Sequence, residues 1–230
     1  MIFHKPSKEI EKFSALDYVV SIVTMAVLGA VSILAIHYTI APLSRSLLGD
    51  YHVIMNFFIF LLFYALLSAA LIKGLLKAYP IRKGTYTFDN NMFFFWKYIT
   101  MLQYTSMAFL VPLIPVALRP LKMALFGAKI GKDTAIGGYI DAPYLVTIGD
   151  ASTIGLGSVV TGTVTTLERF IVGEVKIGKN VTIGMNAVIM PDVEIGDNAV
   201  VEIGSVVLPG SRIPSGERWR GNPARKWMLN

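Results

Sequence analysis

The chain has 230 residues, 54% of them hydrophobic and only 16% charged, with a net charge of +6. Ordinary soluble domains are about 45–50% apolar, so this balance sets aside a uniformly soluble protein. Cysteine is absent, which excludes disulfides, cysteine nucleophiles and thiolate metal sites. The apolar excess lies before residue 120, which predicts a membrane part joined to a soluble part. Basic residues flanking the apolar segments and a basic tail account for the charge, and no nucleic-acid partner is expected.

Residues 1–17 are mixed in charge and read as interfacial. Tyr18 to Ile36 carries no charge. At about 1.5 Å per residue it reaches roughly 28 Å, enough for a bilayer core. The apolar region of a cleaved signal peptide is shorter, so a retained span over about 18–38 is expected. Val53 to Ile72 begins a second span, about 53–75, in which Asn56 and Ser68 are the strongly polar side chains. Lys5, Lys8 and Lys12 precede the first span and Lys73, Lys77, Arg82 and Lys83 follow the second, against Arg45 alone between them. Both ends are therefore expected in the cytoplasm, with the loop outside the plasma (inner) membrane of the cell. Tyr79–Asn91 reads as a polar linker that completes a membrane anchor over 1–91.

Residues 92–126 are read as interfacial or re-entrant. Lys97 and Gln103 interrupt the apolar run, Pro112 and Pro115 break its second half, and Trp96 and Tyr98 suit headgroup level.

From 127 to 230 a different period governs. Ile177, Ile183, Ile189, Ile195, Val201, Val207 and Ile213 fall six residues apart, and Gly178, Gly184 and Gly196 follow three of them. A small or β-branched residue comes four later: Val181, Ala187, Val193, Ala199, Ser205, Ser211. The same phase runs upstream through Ile130, Ile136, Ala142, Ile148, Ile154 and Val160, with Thr134, Ile140, Val146, Ser152 and Ser158 as partners. Neither helix nor ordinary strand needs a period of six; a three-sided coil with one hexapeptide per face does. The aliphatics are expected inward, the small residues at corners, and the glycines at the turns, with coils stacked about 4.8 Å apart. After Val160 the phase slips: Ile171 is the next aliphatic in register with Ile177, and TGTVTTLERF between them is expected to leave the coil as a loop. The end, PSGERWRGNPARKWMLN, places Arg218, Arg220, Arg225 and Lys226 around Trp219 and Trp227. It reads either as a solvated cap or as a cationic patch for phosphate.

These hexapeptides, with Gly221-Asn222-Pro223-Ala224-Arg225 after them, resemble the hexapeptide-repeat acyltransferases. The resemblance implies a β-solenoid, a left-handed parallel β-helix of about 4–5 coils, here preceded by two transmembrane helices and interfacial helices. The order of parts is similar to one module of the C-terminal membrane region of poly-lysine synthetase-like peptide synthetases. Three such modules form a pseudo-trimer there, which implies a homotrimer here. The resemblance places acyl-coenzyme A, or an acyl carrier protein, as donor in a groove between subunits. It puts Ala187 and Ser205 at inward corners near that groove and Arg218, Arg220, Asn222, Pro223, Ala224, Arg225 and Lys226 along the nucleotide. His4, His37 and His52 all lie outside the repeats, so no histidine-ligated zinc is expected on that domain.

Family members usually offer a histidine as the base that deprotonates the acceptor. Thr163 stands in the matching segment here, and threonine does not titrate near neutrality. Glu168 and Asp141 are the ionisable candidates for that role; the alternative reading of each carboxylate is an ion pair with Arg169 or a turn brace. Three functions stand open on the sequence: a membrane-bound acyltransferase carrying an acyl group such as acetyl to a hydroxyl or amine; an amide-forming module working with a separate adenylating and carrier protein; and a non-catalytic trimeric scaffold.

Overall fold

The computed structural model describes residues 15–227. The expected interfacial segment over 1–17 lies almost wholly outside the described residues. Helix α1 (Ala15–Thr39) is followed by a short α2 (Ala41–Leu48), with Pro42 in its first turn, and by α3 (His52–Ala78). Buried Leu61, Tyr64, Ala65, Ser68, Ala69 and Ile72 form one stripe of α3, at the three- and four-residue spacing of a helix face. The opposite face leaves Val53, Ile54, Phe57, Phe58 and Leu62 exposed, and α1 does the same with Val19, Ile22, Val23 and Val27. Both helices are long and apolar enough to cross a membrane by length and composition. In α1, hydroxyls bond within the helix: Ser32 donates to the Leu28 carbonyl at 2.7 Å and Thr24 to the Val20 carbonyl at 2.8 Å.

Strand β1 (Gly84–Tyr86) precedes α4 (Asn91–Phe109), whose N-terminus is capped by Asn90 Oδ1 accepting from the Met92 amide at 2.8 Å. Pro112 lacks an N–H and would clash with the preceding turn, which suits a helix end at Phe109. Phe93, Ile99, Leu102, Ser106 and Met107 of α4 are buried, and Ser106 donates to Ser68 of α3 at 2.6 Å. Trp96 stacks beside Phe93 and lies 4.5 Å from the Phe170 ring, while the Tyr98 hydroxyl donates to Thr24 of α1 at 3.1 Å. Helix α5 (Arg119–Leu125) leads into the repeats.

Coil one comprises β2 (Lys129–Ile130), β3 (Ala135–Ile136) and β4 (Tyr139–Asp141), and coil two β5 (Val146–Ile148), β6 (Thr153–Ile154) and β7 (Val159–Thr161). The hairpin β8 (Thr163–Thr165) and β9 (Phe170–Val172) follows. Coil three is β10 (Val175–Ile177), β11 (Thr182–Ile183) and β12 (Val188–Ile189); coil four is β13 (Glu194–Ile195), β14 (Val200–Val201) and β15 (Val206–Val207). A last partial coil has β16 (Arg212–Ile213) and β17 (Arg218–Arg220), closed by β18 (Arg225–Lys226). Three parallel sheets result, ordered β2-β5-β10-β13-β16, β3-β6-β11-β14-β17 with β18 antiparallel at its edge, and β4-β7-β12-β15. Ile130, Ile148, Ile177, Ile195 and Ile213 stand in one register; Ile136, Ile154, Ile183 and Val201 stand in another. This is the parallel β-helix the spacing predicts.

Three details of the repeat differ from expectation. In coil one the third inward aliphatic is Ile140, which pairs with Val160; Ala142 adopts a left-handed conformation outside the column. The corner before it is shortened to Gly137-Gly138, and a Cβ on Gly138 would lie 2.6 Å from the Ser158 carbonyl oxygen. Ile171 likewise is not in the column: β9 pairs antiparallel with β8 and with β1. Finally, the glycines after the aliphatics do not make the turns. A Cβ on Gly155 would sit 2.7 Å from the Ile183 carbonyl oxygen, so glycine there lets adjacent coils approach. The turn itself falls two residues later, at left-handed Asn180, Asn186, Asp192 and Asn198, residue types that tolerate that region. The corner residues Val181, Ala187, Val193, Ala199 and Ser205 are buried as expected.

The core is continuous from the helices into the solenoid. Leu28, Tyr64, Ile99, Leu102, Met123 and Phe126 join the same buried cluster as Ile136, Ile154, Ile183, Val201 and Ile213. Met123 and Phe126 of the α5 region thus plug one end of the prism, and the β17–β18 hairpin with Trp219 covers the other.

Candidate active site

The segment that leaves the coil is where the unusual polar contacts lie. Asp141 ends β4 directly opposite Thr161 of β7. Thr161 Oγ1 lies 2.9 Å and Thr163 Oγ1 3.2 Å from Asp141 Oδ2, and the Tyr104 hydroxyl donates to Asp141 Oδ1 at 2.9 Å. Two other aspartates of the solenoid hold backbone: Asp150 accepts from the Lys132 amide at 3.0 Å and Asp197 from the Lys179 amide at 2.7 Å, while Asp192 accepts from the cations Lys83 and Arg212. Asp141 instead gathers three side-chain hydroxyls, one from a helix and two from the departing chain. Thr163 is buried, and its amide is braced by Thr161 Oγ1 at 3.1 Å. The structure therefore brings Asp141 and Thr163 together. Glu168 is exposed near the hairpin tip, and among the described residues it neither hydrogen-bonds to this cluster nor forms an ion pair with Arg169.

The cluster borders a cavity of about 490 Å³ between α4, α5 and the first two coils. Tyr104 and Tyr139 form the wall nearest Asp141, Met107, Ala108, Val111 and Met123 supply apolar lining, and Arg119 and Lys122 supply charge. Burial pushes the Tyr104 phenol up, reinforced by Tyr139 and by the Asp141 carboxylate, so Tyr104 remains a neutral donor to Asp141. Burial raises Tyr139 in the same way. Burial lowers Lys122, with adjacent Arg119 adding to the shift. Tyr104, Tyr139, Arg119 and Lys122 carried no distinguishing motif in the sequence. Only the fold, by setting α4 and α5 over coil one, reveals them as neighbours of Asp141.

The tail forms the β17–β18 cap. Its charges are partly committed: Arg218 pairs with Glu202 at 3.3 Å and Lys226 with Glu217 at 2.6 Å. That lysine, then the Trp219 indole, holds the Glu217 carboxyl below its ordinary range. Arg220 lies over the Trp227 ring at 4.6 Å, and neither it nor Arg225 has a carboxylate partner among the described residues. Asn222 and Pro223 are exposed and joined by a cis peptide bond, whereas Ala224 is buried and its amide donates to Val206. Ala187 and Ser205 are fully buried at their corners, so a molecule beside them would meet neighbouring backbone.

Coils of three hexapeptides, stacked in register on three parallel sheets, define a hexapeptide-repeat β-solenoid. Residues 174–209 match the family model described as bacterial transferase hexapeptide (six repeats). No curated protein matches the chain. Among solved structures, a hexapeptide-repeat-containing acetyltransferase from Vibrio cholerae is 28% identical, covering 45% of this chain and 62% of that one at a TM-score of 0.41. A structure of such an acetyltransferase from Vibrio cholerae O1 biovar eltor, complexed with acetyl coenzyme A, is 29% identical over 44% of this chain and 60% of that one, also at 0.41. This chain thus spans less than two thirds of the length of either. A galactoside acetyltransferase in complex with coenzyme A is 21% identical over 68% of this chain and 90% of that one, at 0.49.

Proposed function

We propose that this chain is a membrane-bound acyltransferase, working as a homotrimer of left-handed β-helices on the cytoplasmic side of the bilayer. Its donor is acyl-coenzyme A or a carrier-protein thioester. The match of residues 174–209 to the bacterial transferase hexapeptide model carries this reading. The exposed apolar faces of α1 and α3 support the anchor, and Arg220 and Arg225 are the tail cations best placed to meet phosphate.

In the reaction, the acceptor oxygen or nitrogen attacks the thioester carbonyl. A C–O or C–N bond forms, the C–S bond breaks, and the sulfur leaves as thiolate to take up a proton. Asp141 accepts the acceptor's proton, with Tyr104, Thr161 and Thr163 orienting its carboxylate. Thr163 itself is a positioning residue. Glu168 is a weaker choice because it stands apart at the hairpin tip.

Thr163 in place of a histidine favours one second reading, an amide-forming module, because a free amine needs less help from a base than a hydroxyl does. Titration of the purified protein with coenzyme A, followed by thermal melting, tests both. Ligand at one hundred times its dissociation constant adds about 2.7 kcal/mol. A shift with coenzyme A supports the main reading. A shift with an acylated carrier protein alone selects the amide-forming module, and a shift with neither leaves a scaffold.

A further inference from the structure

The cavity beside Asp141 combines two features that an acceptor for a small neutral sugar does not need. Arg119 is fixed on its wall by donating to the Gly137 carbonyl at 2.8 Å, which leaves other guanidinium N–H groups uncommitted to that bond. Lys122 lies on the same cavity, and neither cation forms an ion pair among the described residues. Two like charges set side by side against apolar walls are stabilised when an anion comes between them. The apolar side of the lining is Met107, Ala108, Val111 and Met123, alongside Tyr104, Tyr139 and Ser158; Val116, Leu118 and Leu121, in the same stretch of chain as Val111 and Arg119, are exposed. They follow the end of α4 away from the polar linker, and α4 itself packs against α1 and α3, whose outer faces are apolar. The volume of about 490 Å³ lies within the 300–1,000 Å³ of ordinary ligand sites.

We infer that this cavity takes a lipid with an anionic headgroup, its phosphate or carboxylate oxygens on Arg119 and Lys122 and its alkyl chain along Met107, Ala108 and Val111. This rests on the acyl-transfer reading for its consequence: the headgroup hydroxyl or amine then faces Tyr104, one hydrogen bond from Asp141, and is the acceptor.

Binding is read without turnover, on the full chain in nanodiscs of zwitterionic lipid. Dihexanoyl phosphatidylglycerol is titrated against dihexanoyl phosphatidylcholine and against glycerol phosphate. Phosphatidylglycerol is expected to bind at least tenfold more tightly than either. Lys122→Ala is expected to weaken it about tenfold, and Ala108→Trp to abolish it by filling the apolar arm. Melting temperatures of both variants confirm that they fold. Equal affinity for the two lipids, or affinity unchanged in both folded variants, overturns the inference. Glycerol phosphate binding as tightly as phosphatidylglycerol also overturns it, because the site would then take a free anion. Lipid binding that persists where no acyl transfer occurs removes the enzymatic reading and leaves the lipid site standing.

Discussion

The Tyr104 hydroxyl donates to Asp141 Oδ1 at 2.9 Å, joining the middle of α4 to the last residue of β4. The contact ties the helical part to the coil edge from which the chain departs, so the proposed base is held from two sides. Asp141→Asn keeps the size of the side chain and removes the proton acceptor. Transfer is expected to fall by about 10²–10⁴-fold, while Glu168→Gln stays near the parent rate. A thioester-cleavage assay on both variants decides between the two carboxylates. Full activity in Asp141→Asn would remove it from the mechanism.

The column of inward aliphatics predicts a stability cost that any single repeat reveals. Ile183 is buried between Ile154 and Val201. Ile183→Ala leaves a cavity in a region with no flexible neighbour to collapse into it, and a loss of about 2–5 kcal/mol is expected. Chemical denaturation in detergent micelles measures it.

Two kinds of glycine should respond in opposite ways. Gly155→Ala brings a Cβ to 2.7 Å from backbone of the next coil and is expected to destabilise strongly. Gly204 has a φ of 66° and nothing within 4 Å of a Cβ there, and it occupies the turn position that Asn180, Asn186 and Asn198 fill elsewhere. Gly204→Asn should therefore be neutral within about 0.5–1 kcal/mol. Equal losses in the two variants would contradict the assignment of turn and contact roles.

Acid should loosen the linker. Lys83 donates to Asp192 Oδ1 at 2.6 Å, pinning the segment before β1 to a corner of coil three. That bond, with Arg212 adding to it, holds the Asp192 carboxyl below its ordinary range. A depressed carboxyl stabilises the fold above its unfolded pKa of about 3.9 and loses that contribution as the pH falls through the lower folded value. Hydrogen exchange across residues 79–90, corrected for intrinsic rate, is expected to speed up below about pH 4. Asp192→Asn should show the faster exchange already at neutral pH.

The absence of cysteine makes topology easy to test. Asp50→Cys lies between α2 and α3, and Lys132→Cys lies on coil one. In intact cells an impermeant maleimide is expected to label the first and to reach the second only after permeabilisation. Labelling of both from the same side would end the two-span arrangement.

Much of the solenoid was legible because a six-residue period depends only on local turns and inward aliphatics. Ile177 through Ile213 needed nothing else. The phase failed at Ala142 because Gly137-Gly138 cut a corner short, and glycine does not announce whether it serves a turn or a close contact. It failed at Ile171 because the partner of β9 is β1, more than eighty residues earlier, in a stretch with ordinary linker composition. Of the site, Asp141 and Thr163 could be singled out one at a time. Their meeting could not, since it depends on a bend at Gly162, where a Cβ would run into Leu145, between Thr161 and Thr163. Tyr104, Arg119 and Lys122 sit on helices whose placement over coil one is a tertiary fact.

Phe126 and Met123 close the first coil from the helical side. Cutting the chain at residue 127 to obtain a convenient soluble fragment would strip that stopper away. The bared rim would offer unpaired strand edges and wet isoleucines to the next fragment. Such pieces should string together into rods, and their failure to behave in solution would say nothing about the intact molecule.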